Sequence, residues 1–174
     1  MKKDFVMPIL VLALICLAIS AALAFTDSIT RPIIKSAADE RANEAKYQII
    51  PDATGFELLE LAGLPDSVTE VHKSTNDVGY IFMITAPGGY GGSIEMICGI
   101  DPDGKIISAA TLAHSETKGL GTKIDEPDYA NQYIGQDSAL SGISAIAGAT
   151  ISSNAYYDGI KSAFAAFEIA RGVD

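Results

Sequence analysis

Apolar and polar positions divide this chain into one uniform stretch and one patterned stretch. From Phe5 to Phe25 no charge interrupts FVMPILVLALICLAISAALAF, and at about 1.5 Å per residue such a run makes a helix about 30 Å long, enough to cross a hydrocarbon core. The run predicts a transmembrane span, with Pro8 in its first turn, where a missing N–H costs little. Beyond it, Pro32 to Ile49 sets Ile33, Ile34, Ala37, Ala38, Ala45 and Ile49 among charged residues, which predicts an amphipathic helix running on from the span. Four runs rich in β-branched and aromatic residues predict strands: Val68–Lys73, Gly79–Ala86, Ser93–Ile100 and Lys105–His114. Asn76-Asp77 and Asp101-Pro102-Asp103-Gly104 are tight-turn sequences, so an antiparallel meander follows. Asn154 to Ala170 places Ile160, Ala163, Phe164 and Phe167 on one face, with Gly172 behind, and predicts a C-terminal helix. The expected fold class is α+β: a single N-terminal transmembrane helix, then a small antiparallel-sheet domain with flanking helices. The expected divisions are residues 1–30 as a membrane anchor (span about 5–25), 31–55 as amphipathic helix and linker, and 56–174 as the soluble domain.

Composition narrows the function classes. With 48% apolar residues and no low-complexity tract, the 174-residue chain carries a folded domain of common size rather than disorder. Twelve Lys and Arg against 22 Asp and Glu give a net charge of −10, which excludes a basic nucleic-acid binder. Cys16 and Cys98 form no CxxC and have no zinc or iron–sulfur spacing; both are expected to be small buried residues, not a disulfide. Ala22-Leu23-Ala24 resembles a cleavage site, so a cleaved signal peptide competes with the anchor. The apolar run exceeds the usual signal core and the sequence opens on Met1, which favours an uncleaved anchor. Ile15 before Cys16 does not suit a lipoprotein signal. Lys2 and Lys3 precede the span while Arg31, Lys35 and Arg41 follow it, so charge bias decides little about orientation. A four-residue tail on one side and a domain of net charge −11 on the other favour placing residues 26–174 on the outer face, away from an anionic inner leaflet.

Three segments carry candidate chemistry. Pro87–Gly92 (PGGYGG) sets four glycines around Tyr90, allowing close backbone approach to a flat or charged ligand, or simply a flexible hairpin tip. It lacks the lysine and hydroxyl of a P-loop. Ala113–Lys123 (AHSETKGLGTK) places Glu116 and Thr117 beside a bendable backbone that could wrap a polar ring edge. His114 there is expected to be a packed or surface histidine rather than a catalyst. Ser144–Ala155 (SAIAGATISSNA) puts Gly148 and Thr150 ahead of a helix whose N–H groups suit a phosphate, while Ser152 and Ser153 stand where helix caps stand. No metal site is expected, because the D-x-D-G turn at Asp101–Gly104 lacks the rest of a calcium loop.

Together the three segments resemble the FMN-binding domain family. Gly148-Ala149-Thr150 looks like the end of its flavinylation motif D-x-x-S/T-G-A-T, Glu116–Gly121 (ETKGLG) like its E-T-P-G-L-G segment, and PGGYGG like its glycine-tyrosine loop. With the short anchor, the chain is similar over nearly its whole length to the G subunits of Rnf ion-translocating electron-transport complexes and to the related NqrC subunits, which are longer. Ser144, Ala147 and Lys118 depart from the motifs, standing where Asp, Ser or Thr, and Pro are usual. The resemblance implies FMN joined covalently to Thr150 through a phosphoester. It implies cofactor contacts from Gly148, Ala149, Ser152, Ser153, Glu116, Thr117, Gly119, Leu120, Gly121 and Tyr90, with no acid–base catalytic residue and no metal. The implied setting is the cytoplasmic membrane, the domain outside, relaying electrons from ferredoxin towards NAD with export of Na⁺ or H⁺. The implied partners are RnfA, RnfB, RnfC, RnfD and RnfE, a flavin transferase during maturation and the lipid bilayer, with no nucleic acid. An NqrC-like or other extracytoplasmic flavoprotein reductase subunit, and a flavin-free anchored binding module, are the alternatives.

Overall fold

The structure, a computed structural model, describes residues 2–172, and the side chains of residues 2–6 and 35 lie outside the description. The expectations placed on Lys2, Lys3, Phe5 and Lys35 as side chains therefore fall outside the described residues. The chain forms two compact units, residues 1–41 and 42–174.

The first unit belongs to helix α1, Lys2–Ile49, which carries Pro8 and Pro32 inside it. From Met7 onward the helix is long and apolar enough to cross a membrane. Cys16 is exposed on its surface, contrary to the expectation of a buried position. Among the described residues of that unit nothing covers the apolar span, so its apolar side chains face outward and need an apolar surrounding.

The second unit is built on one five-stranded antiparallel sheet of order β1-β2-β3-β4-β5. Its strands are β1 Phe56–Leu58, β2 Val68–Ser74, β3 Tyr80–Gly89, β4 Gly92–Ile100 and β5 Ile106–Ala113. Strands β2 to β5 fall where the β-branched runs predict them, whereas β1 is only three residues long and leaves no periodic signal. Side chains alternate between two covered faces. Phe82, Ile84, Met96 and Cys98 face helix α3, Thr150–Ala170, and meet Tyr156, Ile160, Ala163 and Phe167. Ile81 and Ile97 point the other way, against Ile49, Ile50 and Ala53. Burial on both faces explains why β3 and β4 read as nearly continuous apolar runs rather than alternating ones. Helix α3 lies close on the sheet at Gly159, where a Cβ would come 2.6 Å from Met96 Sδ.

Between β5 and α3 the chain makes short helical turns that no periodicity announces: Gly121–Asp125, α2 Pro127–Ala130 and Asn131–Tyr133. Helix α3 also starts at Thr150, four residues before the predicted Asn154. The end of β3, the start of β4 and the end of β5 lie at the same end of the sheet, because neighbouring strands run antiparallel. Two of the candidate segments therefore gather there, and the residues before and at the start of α3 meet them.

Candidate functional site

At that end of the sheet lies a cavity of about 430 Å³, within the range of small-ligand pockets. Tyr90 comes from the β3–β4 turn, Glu116, Thr117, Leu120 and Gly121 from the segment after β5, and Gly148, Ala149, Thr150 and Ser152 from the approach to α3 and its first turn. Nine of the eleven residues singled out from the sequence thus share one cavity, and Ile151 joins them. Ile151 carried no motif of its own; its signal is its place directly after Thr150, in a helical turn that opens onto the cavity.

Gly119 and Ser153 do not line the cavity. Gly119 shapes the loop: its φ is +77°, and its N–H donates to Thr122 Oγ1 at 2.9 Å. Ser152 and Ser153, expected as helix caps, lie inside α3 and are buried. Ser153 Oγ accepts from the Ile146 N–H at 2.9 Å, tying down the strap before Gly148. Ser152 donates its hydroxyl to Glu116 Oε2 at 2.6 Å. The cap position itself is Ala149, whose side chain offers no acceptor. The first N–H groups of α3 accordingly have no helical partner and no side-chain partner from the cap residue, beside an exposed Thr150.

Glycines at the site do two different things. Gly148, with φ +82° and only ordinary contact with Leu120, supplies a left-handed backbone turn before Thr150. Gly89 and Gly91 supply space for the chain itself: a Cβ at Gly89 would come 2.5 Å from Glu116 Oε1, and one at Gly91 would come 1.9 Å from the Ser115 carbonyl oxygen. They let the loop close onto residues 115 and 116.

His114 fits the packed-histidine expectation. Its Nδ1 accepts from the Glu116 N–H at 3.1 Å, so the ring proton sits on Nε2, which donates to Asp125 Oδ2 at 2.7 Å. The ring thereby fastens the end of β5 to the helical turn at Gly121–Asp125. Below α3, Tyr129 donates to the Ser153 carbonyl oxygen at 3.2 Å, and burial raises its pKa, keeping the phenol a neutral donor. Tyr129 meets Tyr133 and Tyr156 of α3 edge-on, and Tyr133 and Tyr156 pack tilted by 44°, with centroids 5.2–5.8 Å apart. The first turn of α3 is thus mounted on packed aromatics rather than on a mobile loop.

These features suit a flavin mononucleotide. Leu120 and Ile151, 46% and 52% exposed, and Tyr90, 72% exposed, offer an apolar rim for a flat ring, while Thr117, Thr150 and the α3 N-terminus offer polar groups to its chain and phosphate. Residues 89–165 match the family model of the FMN-binding domain, a span that contains every residue lining the cavity. A Methanosarcina acetivorans protein, the G subunit of an ion-translocating oxidoreductase complex, is 31% identical over 93% of this chain and 94% of its own length. The chain belongs to the G-subunit family of ion-translocating oxidoreductase complexes. The corresponding Haemophilus influenzae protein is 34% identical over 66% of this chain and 58% of its own length, so the chain spans somewhat over half of that relative. A Clostridium ljungdahlii member, from a proton-translocating ferredoxin:NAD(+) oxidoreductase complex, is 28% identical over 78% of this chain and 76% of its own. The G-subunit match extends over both compact units in the Methanosarcina case, and the FMN-binding domain lies within the second.

Proposed function

We propose that this chain is the membrane-anchored flavoprotein subunit of an Rnf-type complex, relaying electrons through an FMN joined to Thr150 Oγ by a phosphoester. The observation that carries the reading is the uncapped start of α3. Ala149 leaves the first-turn N–H groups without a side-chain acceptor, Thr150 stands exposed at the cavity wall, and Gly148 turns the backbone so that both face the same space. A phosphoester on Thr150 supplies the missing acceptor oxygens where the helix dipole favours negative charge by about 0.3–1 kcal/mol.

FMN, when bound, supplies the exchange of electrons. The chain's own residues bind and orient: the α3 start holds the phosphate, Thr117 offers a hydroxyl to the polar part of the cofactor, and Tyr90, Leu120 and Ile151 flank the ring and limit water. Once the flavin is attached, electron relay itself asks no group in this arrangement to act as nucleophile or general base. Lys118, Ser144 and Ala147, the three departures from the family motifs, are all exposed and none lines the cavity.

The anchor is the apolar part of α1, and the acidic domain, residues 26–174 with net charge −11, faces the outer side of the cytoplasmic membrane. Its partners are the other Rnf-type subunits, RnfA, RnfB, RnfC, RnfD and RnfE, and the overall reaction passes electrons from ferredoxin to NAD. The name of the Clostridium relative supports that reaction.

Intact mass and fluorescence of the denatured chain test the attachment. The parent is expected to carry the FMN mass increment and to fluoresce after denaturation, and Thr150→Ala is expected to lose both while remaining folded, since Thr150 is exposed. An FMN increment retained in Thr150→Ala rejects the assignment.

A further inference from the structure

Glu116 is 8% exposed, and both of its carboxylate oxygens are engaged by its own chain. Oε1 accepts the Gly91 N–H at 3.0 Å across 25 residues of sequence, and Oε2 accepts the Ser152 hydroxyl at 2.6 Å across 36 residues. The backbone around it is shaped to admit it. A Cβ at Gly89 would stand 2.5 Å from Oε1, and a Cβ at Gly121 would stand 2.6 Å from Oε2 and 2.9 Å from Ser152 Oγ. Its own N–H is fixed by His114. One carboxylate thus joins the loop that carries Tyr90 to the first turn of the helix that carries Thr150. Tyr90 itself is 72% exposed, so its place depends on the backbone of its loop, and the Gly91 amide next to it is the point where Glu116 grips that loop.

We propose that Glu116 is a positioning residue of the flavin pocket: it couples the Tyr90 loop to the α3 start and so sets how closely Tyr90 screens the bound FMN from solvent. This inference rests on the FMN reading above and adds to it that Glu116 acts through Tyr90 and not through its own charge on the ring. A Gln at this position keeps both links, because its amide oxygen accepts from Gly91 and its NH₂ donates to Ser152 Oγ. An Ala keeps neither.

The test uses the full chain and two readouts. Hydrogen exchange of the 87–92 segment is measured on flavin-free protein, and iodide quenching of flavin fluorescence on FMN-loaded protein. In Glu116→Ala, exchange in the loop is expected to rise about tenfold, as when a bond to a carboxylate is lost and the segment opens. Iodide quenching is expected to rise several-fold. Tyr90→Ala is expected to raise quenching as much, and the double variant no further. Glu116→Gln is expected to match the parent in both readouts. Ser152→Ala, which cuts one link and keeps the charge, is expected to raise loop exchange by less than Glu116→Ala does, so the idea stays testable if the latter does not fold. Quenching in Glu116→Gln equal to that of an alanine, additive effects in the double variant, or unchanged exchange in Ser152→Ala each overturns the proposal. A parent chain that takes up no FMN overturns the functional reading instead, and the exchange data on flavin-free protein still judge Glu116.

Discussion

Two glycine-bearing segments meet at the cavity, and they use glycine for opposite reasons. In Pro87–Gly92 the decisive glycines, Gly89 and Gly91, are there because the chain's own residues 115 and 116 occupy the place of a side chain. At Gly148 the space is open and the backbone hand is what matters, with φ +82° directly before Ala149 and Thr150. A glycine near a ligand site therefore says little until the nearest atom and the φ value are both known. Here the space-giving glycines build the frame and the hand-giving glycine presents Thr150, the proposed attachment residue.

The contrast is broken most sharply at Gly91. Gly91→Ala forces a Cβ against the Ser115 carbonyl oxygen, a backbone atom that cannot swing aside, and is expected to cost about 3 kcal/mol or more of stability in denaturant unfolding. A smaller loss comes from Gly148→Ala, about 1–2 kcal/mol of left-handed strain, accompanied by a clear fall in covalent flavin on a denaturing gel. Gly88, with φ +87° and open space around it, serves as the matched control: Gly88→Ala is expected to cost the same strain and leave flavin content at the parental level. Equal flavin loss in both variants would dissolve the distinction between frame and presentation. Least costly is Ser153→Ala, which strips the Ile146 N–H of its acceptor; it is expected to lower stability by about 1 kcal/mol and to loosen the strap before Gly148, seen as faster exchange over residues 144–149.

Sequence pattern reached the parts of the fold governed by neighbours in the chain. Strands β2 to β5 announced themselves through β-branched runs, and their tight turns fixed the meander, since hairpin pairing is a local matter. What escaped was governed by partners far along the chain. Ser152 and Ser153 have the composition of caps, yet α3 starts before them, because Ser152 is claimed by Glu116 and Ser153 by the Ile146 amide. The short turns over Gly121–Tyr133 escaped because they are stabilised by Ile124, Tyr129 and Tyr133 entering the core, not by any helical period. Most of the cavity was legible through motif resemblance, while the division of labour among its residues was not. Glu116 stood out as a candidate ligand contact, and nothing in its neighbours along the chain revealed that Gly91 and Ser152 already hold both of its oxygens.

The strand order has a consequence in time. Each strand pairs with its chain neighbour, so the sheet zips up by closing short loops at small entropic cost. The cavity does not share that economy. It is complete only when α3, which follows all five strands in the chain, docks across β3 and β4 and brings Ser152 to Glu116. Thr150, the proposed attachment residue, thus takes its place at the pocket only when that last helix is docked. On the proposed reading, cofactor loading then doubles as a proofreading step: a chain stalled with its sheet formed and its last helix undocked offers no finished pocket and leaves maturation without its flavin.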